Sequence, residues 1–345
     1  MPFELVCTKS LKRYARRFTD LFCLGDGGED VFFSLVGCCL NRTSIDDLNS
    51  DSGPCPDVVL KLGRLPLDLM REKCNLLLDE SFMQARSMHL FHDGDVLCLD
   101  FHDVVYHGRR QEYTVKTLRD GRKRRVFRYA VAGVCRRGLF YTSRIRPCKK
   151  GEDTGDIVRE LILGQTPQRV LMDRFFGSVK VFDTVELLGH EYLVPCKQTE
   201  RMDELYKKSL LAGRRCMTHT IRKHGGGKKQ VDVYFHADEL YEYTSYYSNM
   251  VVPDSGVDDM LSVYKIRWNI ENQFKKKKEI QAKTSSPSPS YRLLLETIGY
   301  LLCNLWRLIV NTVQPVTMKK FARVLVQLLR LLQEEASNKP FFSPV

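Results

Sequence analysis

The sequence predicts a mixed α/β domain with helical regions at both ends. Three observations carry that expectation. The first ninety residues space their apolar positions as helices do, short alternating strands take over from Asp95, and two apolar runs, "DVLCLD" and "QRVLMD", each halt at an aspartate. Spacings of three to four mark helices and alternation marks strands, because side chains recur on one face with those periods.

Taken in order, "EDVFFSLVGCCLN", "TSIDDLNS" and "PLDLMREKCNLLLDESFMQARS" have helical spacing with Ser, Thr or Asp near their starts, and "SDSGPCP" is a turn-rich break among them. Residues 1–90 are thus a helical region, either a domain that grips DNA or a cap packed on the main domain. Next come "DVLCLD", ending at Asp100, then "EYTVKT", a turn at "RDGRKR", "VFRYAVAGVC" and "LFYTSRI", which read as a strand meander. "DTGDIVRELILG" is a helix with acidic residues in its first turn, "QRVLMD" a strand ending at Asp173, "SVKVFDTVELLG" a helix and "EYLVPCK" a strand. Strands, helix, strand, helix, strand is the order of an RNase H-like fold, a mixed β-sheet flanked by helices. Such a domain closes with a helix. Here residues 198–260 intervene as a β-rich insertion, including "THTIRKHGGGKKQVDVYFHAD", a basic hairpin with a triple-glycine turn. The closing helix arrives at Tyr264, so the α/β domain spans 91–280, and "KTSSPSPSYR" separates it from a C-terminal helical region over 281–345.

The formal charge of +12 points to a polyanionic partner, nucleic acid first among them. A membrane-surface protein would show a basic amphipathic helix or a lipidation motif, and neither is present. "LLLETIGYLLCNLWRLIV" is the longest apolar run, but Glu296, Asn304 and Arg307 mark it as a buried helix rather than a bilayer span. The 12 cysteines contain no C-x-x-C pair, and most sit in apolar company, where a thiol acts as a small hydrophobe. With no signal-like start in "MPFELVCTKSLKRYARR", a reducing cytoplasm is the expected setting.

In "YKIRWNIENQFKKKKE", Arg267, Glu271 and Lys278 fall within an arc of about 60° from Tyr264 at about 100° per residue. Charges at helical spacing are commonly a solvated face with weak ion pairs. Asp100 and Asp173 change that balance. Each ends an apolar strand where side chains emerge into a crevice. With Glu271 they form an oxygen-only set able to hold two Mg²⁺ ions, or Mn²⁺ in their place, of the kind that activates a water or a 3′ hydroxyl. Asp103 competes with Asp100 for the first position, and His102 and His107 stand nearby. Among cations, Arg122, Lys123, Arg124 and Arg125 beside Arg119 and Arg128 surround a turn, and Lys275 and Lys278 approach the acidic wall; both groups suit DNA backbone contacts.

The Tyr264, Arg267, Glu271, Lys278 spacing resembles the Y-R-E-K signature of prokaryotic, archaeal-looking insertion-sequence transposases with a DDE triad. "LCLDFHDVVYHG" and "VLMDRFFGS" are similar to that group's aspartate regions, and the likeness extends over roughly residues 90–313. The resemblance implies cut-and-paste transposition. In it Asp100, Asp173 and Glu271 are the catalytic metal ligands, Tyr264, Arg267 and Lys278 contact phosphates of the transposon's terminal inverted repeats, and a homodimer holds paired ends before joining them to target DNA. The sequence departs from the group in two ways. Phe175 stands where glycine is common, and neither Trp268 nor Trp306 lies in the insertion, leaving Tyr234, Phe235 or Tyr241 to stack a base. Two other readings stay open. One is a domesticated, DNA-binding derivative without cleavage; the other is a metal-dependent phosphohydrolase using the His-Asp pairs of "HLFHDGD" and "DFHD".

Overall fold

A computed structural model describes residues 2–48, 56–92, 94–119, 121–222, 227–237 and 242–337. The N-terminal region forms α1 (Phe3–Phe22), α2 (Gly28–Asn41), α3 (Pro56–Leu62) and α4 (Leu67–Ser87). Residues 45–48 of "TSIDDLNS" make a turn rather than a helix. Asp47 accepts hydrogen bonds from the Ser44 and Thr43 hydroxyls, a local closure that competes with helix formation. Residues 49–55 of "SDSGPCP" lie outside the described residues.

The α/β region comprises β1 (Val96–Val105), β2 (Thr114–Arg119), β3 (Arg122–Arg136), β4 (Leu139–Pro147), α5 (Thr154–Ile162), β5 (Arg169–Met172), α6 (Val179–Leu187) and β6 (Glu191–Pro195). The insertion holds an unexpected helix, α7 (Glu200–Ala212), and three strands, β7 (Cys216–Arg222), β8 (Lys228–Ala237) and β9 (Tyr243–Ser248). Most of the glycine turn between β7 and β8, residues 223–226, and Tyr241 lie outside the described residues. The chain ends with α8 (Val257–Tyr264), α9 (Trp268–Lys277), α10 (Pro289–Thr312) and α11 (Met318–Ser337).

Among the described residues nine strands form one sheet in the order β2-β3-β1-β5-β6-β9-β8-β7, with β4 sharing the β2 edge of β3. β1 runs parallel to β5 and β5 to β6, while the other pairs are antiparallel. The β4-β3-β1-β5-β6 portion is the RNase H-like arrangement, and the insertion strands extend that same sheet from β6. Alternation along β1 sorts the two faces: Leu97 and Leu99 join the core under α5 and α6, and Val96 and Cys98 join the core under the helices of the other face.

That second core runs from Phe3 to Leu332 and includes Phe32 of α2, Leu77 of α4, Leu302 of α10 and Phe321 of α11. The helices of residues 1–90 share this interior with the C-terminal helices. Its axis is α10, which is long and apolar enough to cross a bilayer by composition, yet 89% of its most apolar window is buried within the protein. The polar residues in that helix have work inside. Asn304 donates to the Thr142 carbonyl at 2.8 Å, accepts from the Thr142 amide at 2.9 Å, and donates to the Ser81 hydroxyl at 3.1 Å. It thus ties α10 to β4 beside the bulge at Ala132/Gly133 and to α4. Asn304→Ala leaves these backbone groups buried without partners. Urea denaturation should show a loss of about 2–4 kcal/mol with an unchanged m-value; a loss under about 0.5 kcal/mol would mean the tie is dispensable.

Candidate active site

Asp100 does not end β1. The strand runs on to Val105 because β3 keeps pairing with it as far as Val105↔Val126. What ends there is β5. Leu99 is level with Met172 in the parallel pair, so Asp100 and Asp173 are the next residues of adjacent strands, at the point where one strand leaves the sheet and a crevice opens. Asp173 then caps the 3₁₀ turn Arg174–Phe176, its Oδ1 accepting from the Arg174 amide at 2.7 Å. Phe176 is buried against Phe101 in this turn, whereas Phe175 is 73% exposed, so the position has no need of glycine.

Strand alternation also separates Asp100 from Asp103. Three residues apart, they face opposite sides of the sheet, and Asp103 is held by the guanidinium of Arg128, its cross-strand neighbour, at 2.8 and 2.9 Å. His102 faces the Asp100 side, stacked on Phe274 with its Nδ1 2.8 Å from the Tyr300 hydroxyl. His102 and Asp103 therefore cannot serve one metal as a phosphohydrolase pair; the aspartate of "HLFHDGD" at 93 lies outside the described residues. His107 is exposed beyond β1.

Glu271 arrives on a helical segment that is not uniform. A 3₁₀ turn, Lys265–Arg267, separates α8 from α9, and another, Lys278–Ile280, succeeds α9. The first turns Arg267 inward. Its guanidinium, in a residue 7% exposed, donates to Asp100 Oδ2 at 2.8 Å and to Glu271 Oε1 at 2.7 Å. The Tyr264 hydroxyl donates to the Met172 carbonyl at 3.2 Å, pinning α8 to the residue before Asp173. In this arrangement both signature residues are engaged inside the protein rather than turned to solvent.

Burial pushes the Asp100 carboxyl up to about 6; the charges of Asp173 and Glu271 add to the rise, against Arg267 and the Phe101 amide. Burial also opposes the charge of Arg267, but Tyr264 and the carboxylates around it more than restore it. Arg267 Nε is buried without a hydrogen-bond partner among the described residues. Three convergent carboxylates with one desolvated suit an oxygen-preferring divalent cation. Among the described residues no three acidic, His or Cys side chains stand close enough to chelate as placed, and the guanidinium sits between Asp100 and Glu271 where positive charge is required.

The lysine run divides. Lys275 and Lys278 are exposed, Lys276 pairs with Glu279 at 2.8 Å, and Lys277 is wholly buried, bonded to Glu296 of α10 and lying over the Tyr300 ring. Sequence reasoning missed this pair, although an acid within the apolar α10 run already required a partner. Arg122, Lys123, Arg124 and Arg125 lie on the β2–β3 ribbon past the end of β1, alternating between its faces. Arg125 holds the Gly108 carbonyl at 2.6 Å. Tyr234 and Phe235 are packed in the insertion, with the Tyr234 hydroxyl on the Met250 carbonyl at 2.6 Å, so neither offers a face for base stacking.

Residues 91–286 match the family model described as "Transposase DDE domain". No curated protein matches the chain. Among solved structures, the piggyBac transposase in a cryo-EM synaptic complex with hairpin DNA is similar in fold, with a TM-score of 0.54 at 13% identity, over 99% of this chain and 83% of that one.

The buried charges set two expectations. The Asp100 carboxyl binds its proton more tightly folded, near pH 6, than unfolded, near 3.8, so its contribution to stability is full below pH 4 and is lost as pH rises through 6. Without divalent ions, Asp100→Asn should gain about 2–3 kcal/mol on wild type between pH 4 and pH 8; a pH-independent difference would refute this. Glu296→Leu, which strands the buried Lys277 charge, should cost about 3–5 kcal/mol, and the double variant Lys277→Met/Glu296→Leu should recover most of it. Additive losses in that cycle would show that the two groups are not coupled.

Proposed function

The chain belongs to the transposase DDE domain family and acts in DNA transposition, and from that premise we propose that Asp100, Asp173 and Glu271 are its catalytic triad. The observation that carries the reading is that one guanidinium bridges Asp100 and Glu271, while Asp173 follows the strand position level with Leu99 and its charge also acts on Arg267. Enzymes of this family are polynucleotidyl transferases that use divalent metal ions. For this chain the proposed ions are two Mg²⁺, replaceable by Mn²⁺, held by the three carboxylates. When bound they would activate a water or a 3′ hydroxyl and neutralise charge on the leaving oxygen.

The protein's own groups prepare that site. Arg267 keeps Asp100 and Glu271 turned toward each other and offsets their repulsion. For an ion to join them, its contact with one or both carboxylates must open. Tyr264 fixes the end of β5 and so the starting point of Asp173. The turn amide of Arg174 takes one oxygen of Asp173 and orients the other. Lys275, Lys278, Arg122, Lys123 and Arg124 are exposed or half-buried cations for the phosphates of a duplex, where contacts set position rather than read sequence.

The proposed substrates are the terminal inverted repeats of a transposon and its target DNA, joined by cut-and-paste chemistry on a homodimer. The Tyr264, Arg267, Glu271, Lys278 spacing supports placing the chain in the prokaryotic Y-R-E-K group, working at the nucleoid in the cytoplasm.

The test is cleavage of labelled duplex DNA from the gene's own flanks, with Mg²⁺ and with EDTA. Wild type should release a 3′ hydroxyl at the repeat boundary only with the metal. Glu271→Gln should bind equally and cut at least about 10³-fold more slowly. Binding by both proteins with cleavage by neither would identify a DNA-binding derivative that has lost catalysis. Absence of binding and cutting by wild type would overturn the reading.

A further inference from the structure

A cavity of about 570 Å³ lies on the Lys278 side of the signature segment, with His102, two residues past Asp100, and Lys278, seven past Glu271, in its wall. Cations from separate parts of the chain line it: Arg42 at the end of α2, Lys278 after α9, Lys283 in the loop before α10, and Arg292 on α10. The acids in its wall are both engaged. Asp103 is held by Arg128, and Glu296 is bonded by Lys277 and Gln281. Arg292 is engaged too, donating to the Ser286 and Thr284 carbonyls at 2.6 and 2.9 Å.

Arg42 and Lys283 differ. Neither makes an ion pair among the described residues. The Lys283 amide donates to the Thr43 carbonyl at 3.0 Å, which holds the loop to the end of α2 and brings the two cations together. The charge of Lys283 acts on Asp47, whose carboxylate already accepts from Ser44 and Thr43 at 2.7 and 3.2 Å. Arg42 closes α2 in the left-handed conformation, φ 54°. Cys23 closes α1 the same way and His89 takes the same conformation just past the cap of α4, so the backbone is ordinary for this chain. What is particular at 42 is a guanidinium without a carboxylate. Two like charges in the wall of one cavity, on segments tied together by their backbones, repel each other, and an anion between them offsets that repulsion.

We propose that Arg42 and Lys283 form a phosphate site for a DNA strand running from the carboxylates past Lys278, so that the N-terminal helical region takes part in holding the substrate. This rests on the DNA-processing function above and adds two residues outside the signature helix. The cavity exceeds one phosphate and lies within the range of nucleotide-sized pockets.

The experiment is equilibrium binding of full-length protein to the flank duplex by fluorescence anisotropy, from 50 to 300 mM salt. Arg42→Asn suits it, since asparagine accepts the left-handed backbone without the charge. Each phosphate contact contributes about 0.9 to the slope of log K against log salt. Arg42→Asn and Lys283→Gln should each lower the slope by about one and the double variant by about two. Arg42→Lys should keep it, and melting temperatures should be unchanged. An unchanged slope in the double variant, with wild type still binding, overturns this inference alone. No binding by wild type overturns the DNA-processing reading with it. A parallel titration with inorganic phosphate separates the sources: if phosphate stabilises wild type but not Arg42→Asn while the slopes agree, the site serves the free anion and the DNA proposal fails.

Discussion

The site depends on one electrostatic constraint: three carboxylates are brought to a half-buried place where they cannot all be negative without a counter-charge. The sheet supplies two of them with no freedom to separate, because Asp100 and Asp173 come directly after the Leu99↔Met172 register pair. The helical segment supplies the third together with the remedy. Arg267 stands four residues before Glu271, the distance at which side chains on a helix meet, and its second arm reaches Asp100 across the interface. An arginine suits this better than a lysine, since a planar fork reaches two carboxylates at once and stays charged when buried.

The segment keeps Tyr264, Arg267 and Glu271 on one wall through the 3₁₀ turn at Lys265–Arg267: Arg267 lies over the Tyr264 ring and bonds Glu271, and that wall faces the sheet. The packing of α9 turns Lys277 the other way, to α10. α9 is therefore held at both ends by buried cations, Arg267 bonded to a strand and Lys277 bonded to Glu296. Breaking a buried charge pair is costly, so the height of Glu271 over the crevice is set firmly. His102, Phe274 and Tyr300 fill the space between the two anchors, stacked and hydrogen-bonded behind Asp100.

Much of this was legible from residues alone. The order of strands and helices was visible because apolar period changes between them, and Asp100, Asp173 and Glu271 stood out because two apolar runs met an acid and one helix carried a lone acid among cations. Strand ends were less legible. Asp100 looked terminal because the apolar run stops there, yet β1 continues in polar residues whose pairing with β3 no local signal reveals. α7 and β9 were missed because the first is polar over most of its surface and the second is a run of tyrosines and serines. The partner of Lys277 and the loop beside Arg42 belong to distant segments, and their setting is a property of packing that spacing does not encode.

The distribution of positive charge comes from the same packing. With a formal charge of +12, a reader of the sequence sees runs of cations as one resource. Folding sorts them into three uses. Arg128, Arg267 and Lys277 neutralise buried or half-buried acids. Arg125 and Arg292 hold backbone carbonyls that shape the loops beside the site. Arg42, Lys275 and Lys283 lie exposed with no acid bonded to them among the described residues. Charges in the first two groups are desolvated and engaged, so they have little left to offer a passing strand. Those in the third keep their long-range field, and salt will screen it. The cations that hold the enzyme together are therefore largely distinct from those able to hold a polyanion, even where, as at Lys275 and Lys277, the two kinds are two residues apart.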